Sequence, residues 1–259
     1  MIPTSIDNNV PFIDSAFGFK TATQESIPFI DAANVEAEAA EFGVGIVRMP
    51  GRHCGYFPVN AANASRDVNI CLVPDISFQL YGPNGVYEAL IERAKVKGHV
   101  IIVVSEGAYR GLLDCDKAEV KERNPKAPQD DPKDPESVDL ALFMKGDLAK
   151  YAEANHKTKL TIKYLDPRSV VKAQPANSKD TDICHTIAYV SVHSAMHGHT
   201  DFASCQIREQ FVMVPLDVIV SQGTRRLKRK DPEWQRLVMS TGMSNFLSKQ
   251  NQVSAFKTE

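Results

Sequence analysis

The sequence predicts an α/β fold, a Rossmann-like three-layer sandwich on a mainly parallel sheet. Three short apolar runs suited to buried strands are Gly43–Met49, Val68–Pro74 and His99–Glu106, and segments of helical periodicity separate them. Strands and helices in such close alternation build a parallel sheet with helices on both faces. A polar cluster also follows each run: Gly51-Arg52-His53, Asp75 and Glu106. In a parallel sheet these strand ends gather on one edge, where such folds bind ligands.

The elements follow in order. Ser15 to Phe42 is rich in Ala and Glu, with Phe17, Ala22, Ile30, Ala33 and Ala37 near helical spacing. It reads as one long helix that Pro28 should kink or split, because proline lacks the amide donor. After the first strand comes a helix over Tyr56 to Ser65, then the second strand. Asn84 to Lys97 has helical periodicity through Val86, Leu90, Ile91 and Ala94, and Gly98 serves as its C-cap. His99 to Glu106 is the most hydrophobic strand. Residues 114–137 carry Pro125, Pro128, Pro132 and Pro135 among dense charge, and are expected to form a mobile surface insertion. A helix near Val138 to Asn155 and the strand Leu160 to Leu165 come next. A helix over Asp182 to Met196 follows, then strands around a turn over Phe202 to Val220. Pro232 to Met239 reads as a last helix with proline in its first turn. No internal repeat is present.

Bulk properties exclude several function classes. The 259 residues can bury a large core and fit one large domain or two small ones. A net charge of −2 gives no overall pull toward nucleic acid or membrane. Apolar runs such as Val100–Val104 are too short to span a bilayer, and no secretory leader pattern opens the chain. Cys54, Cys71, Cys115, Cys184 and Cys205 are odd in number and far apart. Free thiols in a reducing, cytoplasmic setting are the simplest reading.

Several segments resemble the phosphofructokinases. Residues 3–22 are similar to that family's Pro-x-Thr-Ile-Asp-Asn-Asp loop and its following Gly-Phe-x-Thr-Ala helix. Val47 to Tyr56 resembles the strand and turn reading Val-Lys-Leu-Met-Gly-Arg-His-Ser-Gly-Phe. Ala64 to Asp75 resembles Ala-Ser-Arg-Asp-Val-Asn-Ile-Cys-Leu-Ile-Pro-Glu, and Gly98 to Ala108 resembles Gly-His-x-Val-Ile-Val-Ala-Glu-Gly-Ala. Lys163 to Asn177 and Ser191 to Gly198 continue the match in the same order. The flavour is that of the long plant-like and protist-like branch.

The resemblance implies transfer of a phosphoryl group to the 1-hydroxyl of fructose 6-phosphate, with ATP or pyrophosphate as donor and Mg2+ as its companion. It makes Asp7 the catalytic base and Arg52 the cation that neutralises the transferring group. Ser5, Gly51, Arg52, Glu106 and Lys172 become the substrate-binding residues. It implies a homo- or hetero-oligomer with phosphofructokinase-type subunits, and neither nucleic acid nor membrane as partner. The chain then divides into a catalytic loop and connecting helix (1–42), a sugar-phosphate part (43–200) and a C-terminal return segment (201–259).

Three departures bear on activity. Asn9 stands where the family has a second Asp, and an amide is a weaker magnesium partner. Pro50 replaces a Met that lines the sugar site. Lys172 replaces an Arg and loses the bidentate fork to phosphate. The family's donor loops, Gly-Gly-Asp-Gly-Thr and Gly-Gly-x-x-Pro-Gly, have no counterpart here. The resemblance therefore implies an N-terminally truncated phosphofructokinase-like domain holding the sugar-phosphate half of the site. The alternative is an inactive regulatory or partner subunit.

The remaining motifs have plainer readings. Asp7 could be a helix N-cap, and Arg66-Asp67 an ion pair or a loop hydrogen-bond set. His193, His197 and His199 have spacing compatible with zinc, but the matching family segment holds only the first and binds no metal. No metal site is expected. Arg225-Arg-Leu-Lys-Arg-Lys230 lacks interleaved aromatics and reads as a solvated helix face.

Overall fold

The computed structural model describes residues 1–123, 134, 137–243 and 246. A parallel four-stranded sheet forms its centre, in the order β2-β3-β1-β4. Its strands are β1 (Gly43–Met49), β2 (Ile70–Leu72), β3 (His99–Ser105) and β4 (Thr161–Leu165). β1 lies between β3 and β4, with Gly43 opposite both His99 and Thr161. Every residue of β1 is buried, as a strand covered on both faces requires.

Helix α1 (Phe19–Glu38) packs on β1, and its buried stripe is Ala22, Ser26, Ile30, Ala33 and Ala37. The approach is so close that a Cβ on Gly43 would sit 1.9 Å from the Ala37 carbonyl oxygen. Pro28 lies inside this helix and does not split it. Helix α2 (Tyr56–Ser65) packs against α1. Its C-cap Arg66 is left-handed (φ 63°). Arg66 and Asp67 form no ion pair with each other; the Asp67 amide donates to Ser65 Oγ at 3.3 Å. Helix α3 (Val86–Lys97) ends on the left-handed C-cap Gly98, as expected.

Several elements differ from the sequence expectation. Asp114–Arg123 is a helix, α4, and not irregular insertion. Asp116 and Val120, one turn apart, are buried, and Asp116 Oδ2 accepts the Leu80 amide at 2.6 Å. The four prolines of the expected insertion lie outside the described residues. Helix α5 (Leu140–His156) follows, N-capped by the Asp139 carboxylate. Arg168–Lys172 forms the short helix α6, which the pattern did not reveal. Helix α7 (Ser178–Met196) then begins one turn earlier than expected, because Asn177 Oδ1 caps the Asp180 amide.

A further difference lies in the segment Phe202 to Val220. Strands β5 (Phe202–Ile207) and β6 (Gln210–Pro215) form an antiparallel hairpin, and Leu216–Gln222 is helix α8. The hairpin turn, Arg208-Glu209, has both φ values positive, as a two-residue primed turn needs. Residues 223–230 form an irregular strap rather than the expected helix face, with Leu227 buried in the main core. Helix α9 (Pro232–Thr241) closes the described chain with proline in its first turn. Among the described residues no helix is long and apolar enough to cross a membrane.

Candidate active site

The hairpin holds the N-terminal loop in place. Ser204 donates its amide to the Met1 carbonyl (3.0 Å), the Asp14 amide reaches Gln206 O (3.0 Å), and Asp14 Oδ2 accepts the Glu209 amide (2.9 Å). Within the loop, Asn8 is buried and left-handed (φ 52°). Its Oδ1 accepts the Ala16 amide (2.9 Å) and its Nδ2 donates to Asp14 O (3.1 Å). Ser5 Oγ donates to Asn9 Oδ1 at 2.9 Å. The middle residue of Asp7-Asn8-Asn9 thus carries the loop, and its two neighbours are half-buried. The strap secures the other side, with the Arg225 amide on Asn9 O at 2.9 Å.

The turns after β1 and β3 are stitched together. Ser105 Oγ and the Gly107 amide both donate to Gly51 O (3.0 and 3.1 Å), and the Glu106 amide donates to Met49 O (2.9 Å). Gly51 has φ 128°, and a Cβ on Gly107 would meet Arg52 O at 1.9 Å. That close approach sets Arg52 beside Glu106. Arg52 Nε and Nη2 both donate to Glu106 Oε1, at 3.1 and 2.9 Å.

Two further cations reach the same carboxylate. Lys172 Nζ lies 3.6 Å from Oε2, and Arg168 Nη1 lies 3.6 Å from Oε1. Glu106 is 5% exposed at its side chain. Burial pushes its carboxyl up, but the Arg52 hydrogen bonds and the charges of Lys172 and Arg168 hold it below the usual carboxylate range. Asp7 has the opposite shift. Burial raises it, the nearby Glu106 charge raises it further, and Lys172 and Arg52 offset only part. Such a carboxylate binds a proton more readily than an exposed one.

The structure therefore brings Arg52, Glu106 and Lys172 into contact, with Asp7 inside their field. Ser5 instead closes its own loop, and Gly51 contributes its carbonyl to the stitching. Asp75 is not in this cluster. Its Oδ2 accepts the Gly55 amide at 2.6 Å at the start of α2. Arg168 escaped the sequence reading. It lies one helical turn before Lys172, a spacing that would have pointed to it had α6 been foreseen. Behind it runs a chain of charge that leads from the surface to the buried Arg48–Asp139 pair. Arg168 Nε and Nη2 fork onto Asp166 Oδ1 and Oδ2 (both 2.8 Å), Asp166 lies 3.6 Å from Arg48 Nη1, and Arg48 Nη1 donates to Asp139 Oδ2 at 2.6 Å.

Other reactive groups are elsewhere or quiet. Burial pushes the Cys54 thiol up to about 12, so it is no nucleophile at neutral pH. His193 stacks on Tyr189 with ring centroids 4.2 Å apart, and His197 Nδ1 lies 2.7 Å from His193 O. Among the described residues no group of three or more His, Cys, Asp or Glu is arranged to hold a metal.

Comparison with known proteins bears on the family and the fold. The family model described as Phosphofructokinase matches residues 1–193. ATP-dependent 6-phosphofructokinase 2 of Arabidopsis thaliana is 34% identical over 247 residues, covering 95% of this chain and 54% of that protein. ATP-dependent 6-phosphofructokinase of Amycolatopsis methanolica is 33% identical, covering 93% of this chain and 51% of that protein. The chain thus spans about half the length of these relatives. Among solved structures, pyrophosphate-dependent phosphofructokinase from Marinobacter aquaeolei superposes with a TM-score of 0.63 at 15% identity, over 94% of this chain and 60% of that one. Phosphofructokinase from Saccharomyces cerevisiae gives 0.61 at 18% identity, over 84% of this chain and 26% of that one. At those identities the structures speak for the fold, while the family match and the closer sequences speak for descent. The chain belongs to the phosphofructokinase family.

Proposed function

We propose that this chain carries the sugar-phosphate side of a 6-phosphofructokinase site and takes part in converting fructose 6-phosphate to fructose 1,6-bisphosphate. One observation carries the reading: the buried Glu106 is ringed by Arg52, Arg168 and Lys172, with the proton-seeking Asp7 in the same field. Asp166 already balances Arg168, so Arg52 and Lys172, the two more exposed cations beside Glu106, are the ones placed to meet a phosphate group. Glu106, held ionised, accepts hydrogen bonds from sugar hydroxyls. Asp7 takes the proton of the 1-hydroxyl as its oxygen attacks the terminal phosphorus of the donor. The new O–P bond forms as the bond to the leaving phosphate breaks, and the leaving group keeps that electron pair. Arg52 offsets charge on the group in flight.

ATP is the preferred donor in this reading, since the relatives above 30% identity named here are ATP-dependent enzymes. The described residues do not fit a resident magnesium site. The Asn9 amide oxygen is engaged by Ser5, and the three cations around Glu106 oppose a divalent one there. Magnesium belongs to the donor and arrives with it. Ser5 and Gly51 shape the loops around the sugar, and Lys172 supplies a point charge to its phosphate. The names of the relatives favour this catalytic reading over an inactive partner subunit. A cytoplasmic setting and association with phosphofructokinase-type subunits complete the proposal.

Isothermal titration with fructose 6-phosphate is expected to give heat that Lys172→Ala reduces. With ATP and magnesium, turnover should fall about 10²–10⁴-fold in Asp7→Ala, the usual worth of a general base. Fructose 6-phosphate heat without any turnover would favour the non-catalytic alternative. The absence of both would sink the proposal.

A further inference from the structure

We propose that Arg168 is the standby counter-ion of Glu106, holding that carboxylate when Arg52 leaves it for a phosphate group. The need for a standby follows from the geometry. Arg52 spends its Nε–Nη2 edge on one oxygen of Glu106. That edge is one of the two forks a guanidinium can offer a phosphate, and a phosphate taken side-on there displaces Glu106 from Arg52. Glu106 would then be a buried carboxylate stripped of its nearest partner, an arrangement that costs far more than an exposed one.

Arg168 is placed to prevent this. Its Nη1 lies 3.6 Å from Oε1, the same oxygen that Arg52 holds, whereas Lys172 faces Oε2. Its guanidinium is anchored by the two-toothed contact with Asp166. The three cations also differ in freedom. The Arg52 and Lys172 side chains are 42% and 47% exposed, and Arg168 is 18% exposed. Arg52 and Lys172 can therefore turn toward a ligand in the cleft, while Arg168 stays. The division of labour is one pinned counter-ion and two mobile ones around a single carboxylate. The phosphate-directed part of this inference rests on the function proposed above; the exchange of counter-ions does not.

A double-mutant cycle tests the exchange without any substrate. Arg52→Gln, Arg168→Gln and the double variant are compared by thermal unfolding at pH 7. If Arg168 takes over Glu106, the double variant loses at least about 2–4 °C more in Tm than the two single losses together. That excess should vanish in a Glu106→Gln background and shrink with Arg168→Lys, which keeps the charge. The damage Arg168→Gln does to the Asp166 contact enters its single loss and cancels from the excess. Additive losses, or an excess that survives Glu106→Gln, would overturn the proposal. Titration with fructose 6-phosphate adds a second reading. Arg168→Gln should weaken binding about tenfold, because Arg52 remains tied to Glu106 and the competent fraction falls, and Arg168→Lys should recover most of it. Wild-type heat with unchanged Arg168→Gln affinity would also overturn the proposal. No wild-type heat would overturn the substrate reading alone and leave the cycle to decide the exchange.

Discussion

The half-buried Asp7 and the buried Glu106 share one field, yet they shift in opposite directions because Glu106 has the Arg52 hydrogen bonds and two further cations beside it. This has consequences for stability. Glu106 titrates below its ordinary value of 4.5 when folded. Its contribution to stability is therefore complete above that value and is lost as pH falls through the depressed one. Glu106→Gln is expected to cost roughly 1.5–3 kcal/mol at pH 7 and progressively less in acid, as urea unfolding at a series of pH values would show. Asp7 titrates above its ordinary 3.8. Its folded state prefers the proton, so its contribution is present below the ordinary value and lost as pH rises through the folded one. At pH 7 the charge is a burden, and Asp7→Asn should raise Tm there with no such gain near pH 3. A residue that harms stability in the proposed catalytic role fits the usual trade-off between stability and function. A lower Tm for Asp7→Asn at pH 7 would contradict that assignment.

At the scale of elements, the site depends on two turns meeting. The space at Gly107 is taken by Arg52 O, so Gly107→Ala must push the β1 turn away from the β3 turn. We expect lower Tm and weaker fructose 6-phosphate binding together, the latter because Arg52 no longer sits over Glu106. Unchanged affinity would show that the stitching does not position Arg52. Helix α1 shows local propensity being overridden. An interior proline costs about 3 kcal/mol, yet α1 runs unbroken because Ile30, Ala33 and Ala37 bury its stripe against the sheet. Helix α6 shows the reverse problem. Five residues are too few to display a period, so Arg168 could not be placed beside Lys172 from the sequence.

At the scale of the whole molecule, one surface remains open. Tyr189, Val192 and Met196 form an exposed apolar stripe on α7, with Val218 and Val220 exposed on α8. Stripes of this kind mark contacts between chains, in line with the proposed association of phosphofructokinase-type subunits. Val192→Asp with Met196→Glu should shift sedimentation toward the monomer without lowering Tm, and an unchanged distribution would place the contact elsewhere. The parallel sheet, the positions of its apolar strands along the chain and the gathering of Arg52 and Glu106 at one edge were legible in the sequence, because buried parallel strands leave continuous apolar runs; the strand order was not. Family membership was legible too, through motifs spread from Pro3 to Gly198. Only the tertiary structure decided that Asn8 holds the N-terminal loop, that Asp75 holds the start of α2 instead of joining the Glu106 cluster, and that the basic run is a strap. It alone brought Arg168 to Glu106. Those outcomes depend on which side chains meet across long stretches of chain, and periodicity along the sequence carries no information about such meetings.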